Sequence, residues 1–279
     1  MLLRPLNTIS AFRALSTFPT FAGVELSLRD KIFHVQLNRP KAANSLSIDT
    51  LKGITDALNF ANAHQESSIT VLSGTGKYFC SGFDLRTYPL KTADQPGVVK
   101  KFAEDLTWSV RDYTRAFIDH DKPLVALCNG PAIGGGATPL ALCDMVIVSD
   151  TFYALFPFSR LAVRPELAST YTFPAIMGPM RAAEVLLSGR PIPAAEAREL
   201  GLVSQVVQHD KFEEVAWKRA EDLSRFPAGG LKSNKKLLRD VHRAQMHAAN
   251  EKESLSTIPM WSSQECQDAL AAHLAAMKK

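Results

Sequence analysis

The chain has 279 residues, 46% of them hydrophobic and 22% charged, with a formal net charge of +4. That balance excludes an intrinsically disordered chain, and the charge is too near neutral for a surface built to hold nucleic acid. Cys80, Cys128, Cys143 and Cys266 stand far apart, with no CxxC pair and no histidine at metal-ligand spacing, so they read as buried, reduced thiols of an intracellular protein.

Residues 1–18 carry Arg4 and Arg13, several hydroxyl residues and no acid, with Leu2, Leu6, Ile9, Phe12 and Leu15 at helical intervals. That is the composition of a mitochondrial transit peptide. No later stretch reaches the roughly 20 apolar residues that span a bilayer. Val24 to Leu28 and Ile32 to Leu37 alternate around Arg29-Asp30-Lys31 and predict a hairpin. Ser47 then caps a helix to Ala63, whose Leu51, Ile54, Leu58 and Ala61 share one face. A buried strand, Ile69 to Ser73, leads through a glycine-marked turn to a helix over Val98 to Phe117. Next come a strand at Pro123 to Cys128, a second glycine turn with a helix starting near Ala137, and a strand at Met145 to Val148. Helices follow over Pro179 to Ser188, Pro193 to Leu200 and Phe212 to Arg225, then on to Met277 with breaks at Pro227 to Gly230 and at Pro259. Strands alternating with helices predict an α/β core over 19–200, with a helical region over 201–279.

The two glycine turns carry the chemistry. In Cys128-Asn129-Gly130-Pro131-Ala132-Ile133-Gly134-Gly135-Gly136-Ala137, free N–H groups gather where a strand gives way to a helix, a place suited to an oxygen that gains charge during reaction. A tight crossover would use the same glycines. Gly74-Thr75-Gly76-Lys77 is no Walker loop, because Val71 and Tyr78 stand where glycine and a hydroxyl are required. Neither a Gly-x-Ser-x-Gly elbow nor HExxH is present.

Asn38-Arg39-Pro40 with Asn44-Ser45-Leu46, then Phe79-Cys80-Ser81-Gly82-Phe83-Asp84-Leu85, then Asn129 to Gly136, resemble the crotonase (enoyl-CoA hydratase/isomerase) superfamily in order and spacing. The resemblance runs from about Val24 to the C-terminus. It implies a crotonase-like ββα spiral core, a helical C-terminal region that covers the acyl site and forms trimers or stacked hexamers, and an acyl-CoA thioester as substrate. It further implies two backbone oxyanion donors, the N–H groups of Phe83 and Gly135. Ala42, Asn44, Ser81, Gly82, Phe83, Asp84, Leu85, Gly134, Gly135 and Phe158 are the substrate contacts it implies, with Lys41, Lys77 and Arg86 as candidates for the CoA phosphates.

The superfamily's hydratases use two glutamates, but Thr138 and Phe158 occupy those positions here. A carboxylate stands instead at Glu166, after Pro165 at the opening of a helix containing Tyr171, Phe173 and Ile176. Read alone, Glu166 is an ordinary first-turn glutamate. The surrounding Phe158-Ser159 and Tyr171-Thr172-Phe173-Pro174 resemble the Δ3,Δ2-enoyl-CoA isomerase branch, peroxisomal type. That implies Glu166 as the single base shifting a 3-enoyl double bond to trans-2 in unsaturated fatty-acid β-oxidation. No metal or redox cofactor is expected, with coenzyme A entering only as part of the substrate. Leu167 and Ala162 replace glycines of that branch, which narrows the backbone freedom around Glu166. Two alternatives are a 2-enoyl-CoA hydratase and a noncatalytic acyl-CoA-binding or RNA-associated protein of the same fold. The expected location is mitochondrial, with a peroxisomal-type organelle as the alternative.

Overall fold

A computed structural model describes residues 18–90 and 95–277. The leader expected over residues 1–18 lies outside the described residues except for Phe18, whose ring meets Phe33 edge-on at 5.3 Å.

β1 (Val24–Arg29) and β2 (Ile32–Leu37) form the expected hairpin, turning at Asp30 with φ 50°. β2 then pairs in parallel with β3 (Ile69–Gly74), β3 with β4 (Leu124–Cys128), β4 with β6 (Met145–Ser149) and β6 with β9 (Gln205–Val207). This six-stranded sheet is covered on both faces, which is why its strands read as continuous apolar runs. Alternation within those runs sorts the side chains. Ile69, Val71, Val125 and Leu127 face α6 (Phe212–Ser224), whereas Leu72, Leu124, Ala126 and Cys128 face the larger core with α1 (Ile48–Ala63) and α2 (Pro96–Ile118). Each buried aliphatic side chain contributes about 1.5–3 kcal/mol of hydrophobic burial.

Ser47 caps α1 as expected, and Thr50 reciprocates: the Thr50 N–H donates to Ser47 Oγ while the Ser47 N–H donates to Thr50 Oγ1. A small second sheet joins β5 (Ala132–Ile133), β7 (Tyr153–Leu155) and β8 (Pro191–Pro193). The remaining helices are α3 (Ser169–Met177), α4 (Pro179–Ser188), α5 (Ala194–Glu199), α7 (Ala228–Trp261) and α8 (Gln264–Ala276). The long α7 packs along α2.

Four expectations are corrected. The helix expected from Ala137 is not an α-helix but two short 3-10 turns, Gly134–Gly136 and Thr138–Leu142, in which the Ala137, Leu140 and Cys143 N–H groups donate to the carbonyls three residues back. Pro259 does not break α7, which continues to Trp261, where Thr257, Met260 and Trp261 are buried. Glu166 stands ahead of α3, two residues before the Ala168 cap, rather than inside its first turn. The sheet's last strand, β9, also comes from within the segment expected to be helical.

Candidate active site

The segment after β3 and the segment after β4 fold onto each other. Asn44 ties the first one down: its side-chain amide donates to the carbonyls of Thr75, Tyr78 and Phe79, and its Oδ1 accepts from the Arg39 N–H. Cys80 bridges Ala132, with the Ile133 N–H donating to the Cys80 carbonyl at 2.9 Å. Gly82, at φ 78°, presses against the Ile133 carbonyl where a Cβ would collide. The two glycine turns are therefore in backbone contact.

Phe83 is held in a parallel bridge with Leu46: the Leu46 N–H donates to Gly82 O and the Asp84 N–H donates to Leu46 O, both at 2.8 Å. In such a bridge the N–H of Phe83 itself points away from the paired strand. The Gly134–Gly136 turn begins with Gly134 at φ 48°, and its i to i+3 pattern leaves the Gly135 N–H without a partner inside the turn. Both groups border a cavity of about 480 Å³.

Glu166 lines the same cavity. A Cβ built on Gly135 would lie 3.4 Å from Glu166 Oε1, so the carboxyl sits directly over the glycine turn. Loss of water on burial, reinforced by the negative charge of Glu253, pushes the Glu166 carboxyl up to about 7. The cavity's other carboxylate, Asp84, behaves oppositely: Arg86 binds both its oxygens, at 2.7 and 2.8 Å, and holds it below the usual range. Leu46, Leu106, Leu161 and Phe158 supply apolar wall.

Ala42, Ser81, Gly82, Phe83, Asp84, Leu85, Gly134, Gly135, Phe158 and Glu166 all line this cavity. Asn44 does not, being 2% exposed and committed to the loops it ties together. Lys41 and Arg86 reach the lining, Arg86 already paired with Asp84, whereas the Lys77 carbonyl packs against Gly130 instead. Thr138 is buried and its hydroxyl donates to the Gly134 carbonyl at 2.9 Å, so it braces the turn. Phe158 is 3% exposed and stacks on Phe156.

Sequence reasoning missed Tyr113, Trp261 and Glu253. Trp261 lines the cavity with its ring 5.9 Å from that of Phe83, and the Tyr88 hydroxyl donates to its carbonyl. Tyr113 is a buried wall residue of α2, its hydroxyl pushed well up by burial. Their helical spacing reads as plain packing, so only their place in the fold reveals them, Tyr113 and Trp261 in the cavity wall and Glu253 against the Ala168 and Thr170 N–H groups.

The sequence pattern of the enoyl-CoA hydratase/isomerase family matches residues 28–276. A human enoyl-CoA delta isomerase 2 is 36% identical over 93% of this chain, which spans 65% of that relative's length. A mouse peroxisomal enoyl-CoA delta isomerase 3 is 36% identical over 86% of this chain and 74% of its own. An enoyl-CoA hydratase structure from Mycobacterium avium subsp. paratuberculosis superposes with a TM-score of 0.82 at 26% identity, covering 91% of this chain and 100% of its own. With the two glycine turns, the sheet order and the length of the match in agreement, the chain belongs to the enoyl-CoA hydratase/isomerase family, the crotonase superfamily.

Proposed function

We propose that this protein is a Δ3,Δ2-enoyl-CoA isomerase in which Glu166 is the single acid–base group. The observation that carries the reading is the Glu166 carboxyl over Gly135, raised toward neutrality, with Thr138 and Phe158 in the places where a second carboxylate would be needed to add water. The delta-isomerase names of the relatives point the same way.

The chemistry follows from the arrangement. Ionised Glu166 takes a proton from C2 of a 3-enoyl thioester, and the electron pair delocalises onto the thioester oxygen. The N–H groups of Phe83 and Gly135 donate to that oxygen as it becomes negative, each worth roughly a hundred- to a thousand-fold in rate. Protonated Glu166 then returns its proton to C4, leaving the double bond at C2. Atoms and charge balance within the substrate and one carboxyl, so the reaction asks for no metal or redox cofactor beyond the CoA of the substrate.

Isomerisation of trans-3-hexenoyl-CoA by purified protein, compared with Glu166→Gln, tests this. Activity should fall by about 10²–10⁴-fold in a folded Gln variant. Equal activity in both proteins, or hydration of crotonyl-CoA outpacing isomerisation in the wild type, would overturn it. A mitochondrial address in residues 1–18 belongs to the same proposal, and a fluorescent fusion of residues 1–30 that fails to enter mitochondria would remove it.

A further inference from the structure

We propose that Glu253 of α7 is a positioning residue for Glu166, its buried carboxylate holding in place the left-handed backbone segment that aims Glu166 over the glycine turn. This rests on the reading of Glu166 as the base.

Leu167 and Ala168 have φ values of 61° and 58°, two consecutive non-glycine residues in the left-handed region, where the Cβ crowds the carbonyl. Such a pair persists only where the surroundings over-determine it. Glu253 supplies that determination. Its Oε2 accepts from the Ala168 N–H at 2.7 Å, and its Oε1 accepts from the Thr170 N–H at 2.9 Å and the Thr170 hydroxyl at 2.6 Å. The same contacts satisfy N–H groups at the start of α3, which has no capping side chain of its own. Glu253 is 5% exposed, so water does not substitute for it. Its two oxygens act as acceptors in all three contacts, the pattern of an ionised carboxylate.

The two glutamates also face one small cavity of about 10 Å³, walled by Thr107, Asn250, Ser254 and Thr257. Across it the charge of Glu253 adds to burial in making Glu166 harder to ionise. The other titratable and charged groups around the pair are few. From α2 comes Tyr113, which feels Glu166 in turn, while Arg111 turns its carbonyl to Asn250 and its guanidinium to Asp112. Arg164 on the Glu166 loop donates outward to the Ser256 carbonyl. On α7 itself His242 contacts Tyr171. Burial pushes the Glu253 carboxyl up, and its three hydrogen bonds pull it back.

The test compares full-length wild type, Glu253→Gln and Glu253→Asp by pH-dependent isomerase kinetics, together with infrared titration of the Glu166 carboxyl, isolated by difference from Glu166→Gln. Glu253→Gln should lower kcat by about 10–100-fold with KM nearly kept. It should also move both the acid limb of kcat/KM and the Glu166 carboxyl band to lower pH by about one. Glu253→Asp should recover part of both. A Gln variant with wild-type kcat and an unchanged carboxyl titration overturns the proposal. If Glu253→Gln does not fold, Thr170→Val removes one donor alone, with an expected loss in kcat of about fivefold at constant KM, and unchanged kcat would then overturn it. The infrared readout needs no turnover, so it still decides the role of Glu253 if Glu166→Gln proves active and the isomerase reading fails.

Discussion

Glu166 and Asp84 border the same cavity and are driven in opposite directions, one by burial and a like charge, the other by a two-pronged Arg86 pair. Two carboxyls with diverging proton affinities divide the labour: Asp84 stays charged and structural, and Glu166 can both take and return a proton near neutral pH. The kcat/KM of the wild type should accordingly rise with pH to a plateau above about 7, where free Glu166 is ionised. The same shift acts on stability. Because folded Glu166 holds its proton more tightly than the unfolded chain does, its favourable contribution is complete below the unfolded value and is lost as pH rises through about 7. Glu166→Gln should therefore melt several degrees above wild type at pH 8 and close to it at pH 4. Equal differences at both pH values in differential scanning calorimetry would contradict that. Glu166 itself was legible as a candidate only through the resemblance of Phe158-Ser159 and Tyr171-Thr172-Phe173-Pro174 to the isomerase branch; read alone it is an ordinary first-turn glutamate. Glu253 was not, because a glutamate on a long amphipathic helix looks like any other until α7 is laid against the 166–170 loop.

At the level of elements, the two glycine turns work only because they touch. A Cβ at Gly136 would sit 2.6 Å from the Cβ and Sγ of Cys80 and 2.8 Å from its carbonyl. Gly136→Ala must then separate the turns, at a cost of about 1–3 kcal/mol of overpacking read by urea denaturation. Under the proposed mechanism its kcat should also fall, since the Phe83 and Gly135 N–H groups would move apart. Wild-type stability in this variant would mean the turns adjust independently. Most strands and helices were legible because their periodicity is enforced by burial: β2 spans Ile32–Leu37 and α4 spans Pro179–Ser188 as their patterns predict. The failures have local causes. The expected α-helix is replaced by 3-10 turns where Thr138, Leu140 and Leu142 are packed into the core, and tertiary burial of Thr257 and Trp261 carries α7 through Pro259. The short strands β5, β7 and β8 are two or three residues long, too brief to show any period.

For the whole molecule, α7 presents apolar side chains to solvent, with Leu237 at 73%, Leu238 at 76% and Val241 at 67% exposure. Such a stripe costs solubility in a lone subunit and would be covered in the trimer or stacked hexamer that the family resemblance implies. If that expectation holds, Leu238→Glu should shift light scattering after size exclusion from an oligomer toward a monomer, and a wild-type protein that is already monomeric would remove the expectation.

Trp261 gives the molecule a built-in optical reporter. Of its three tryptophans, Trp108 is covered by the Arg111 guanidinium and Trp217 by that of Arg29, while the Trp261 indole lies in the cavity wall beside Phe83. Under the proposed function, a nonreactive acyl thioester entering the cavity should change the emission of this indole, so that its entry and departure can be timed in a stopped-flow cell with no label attached.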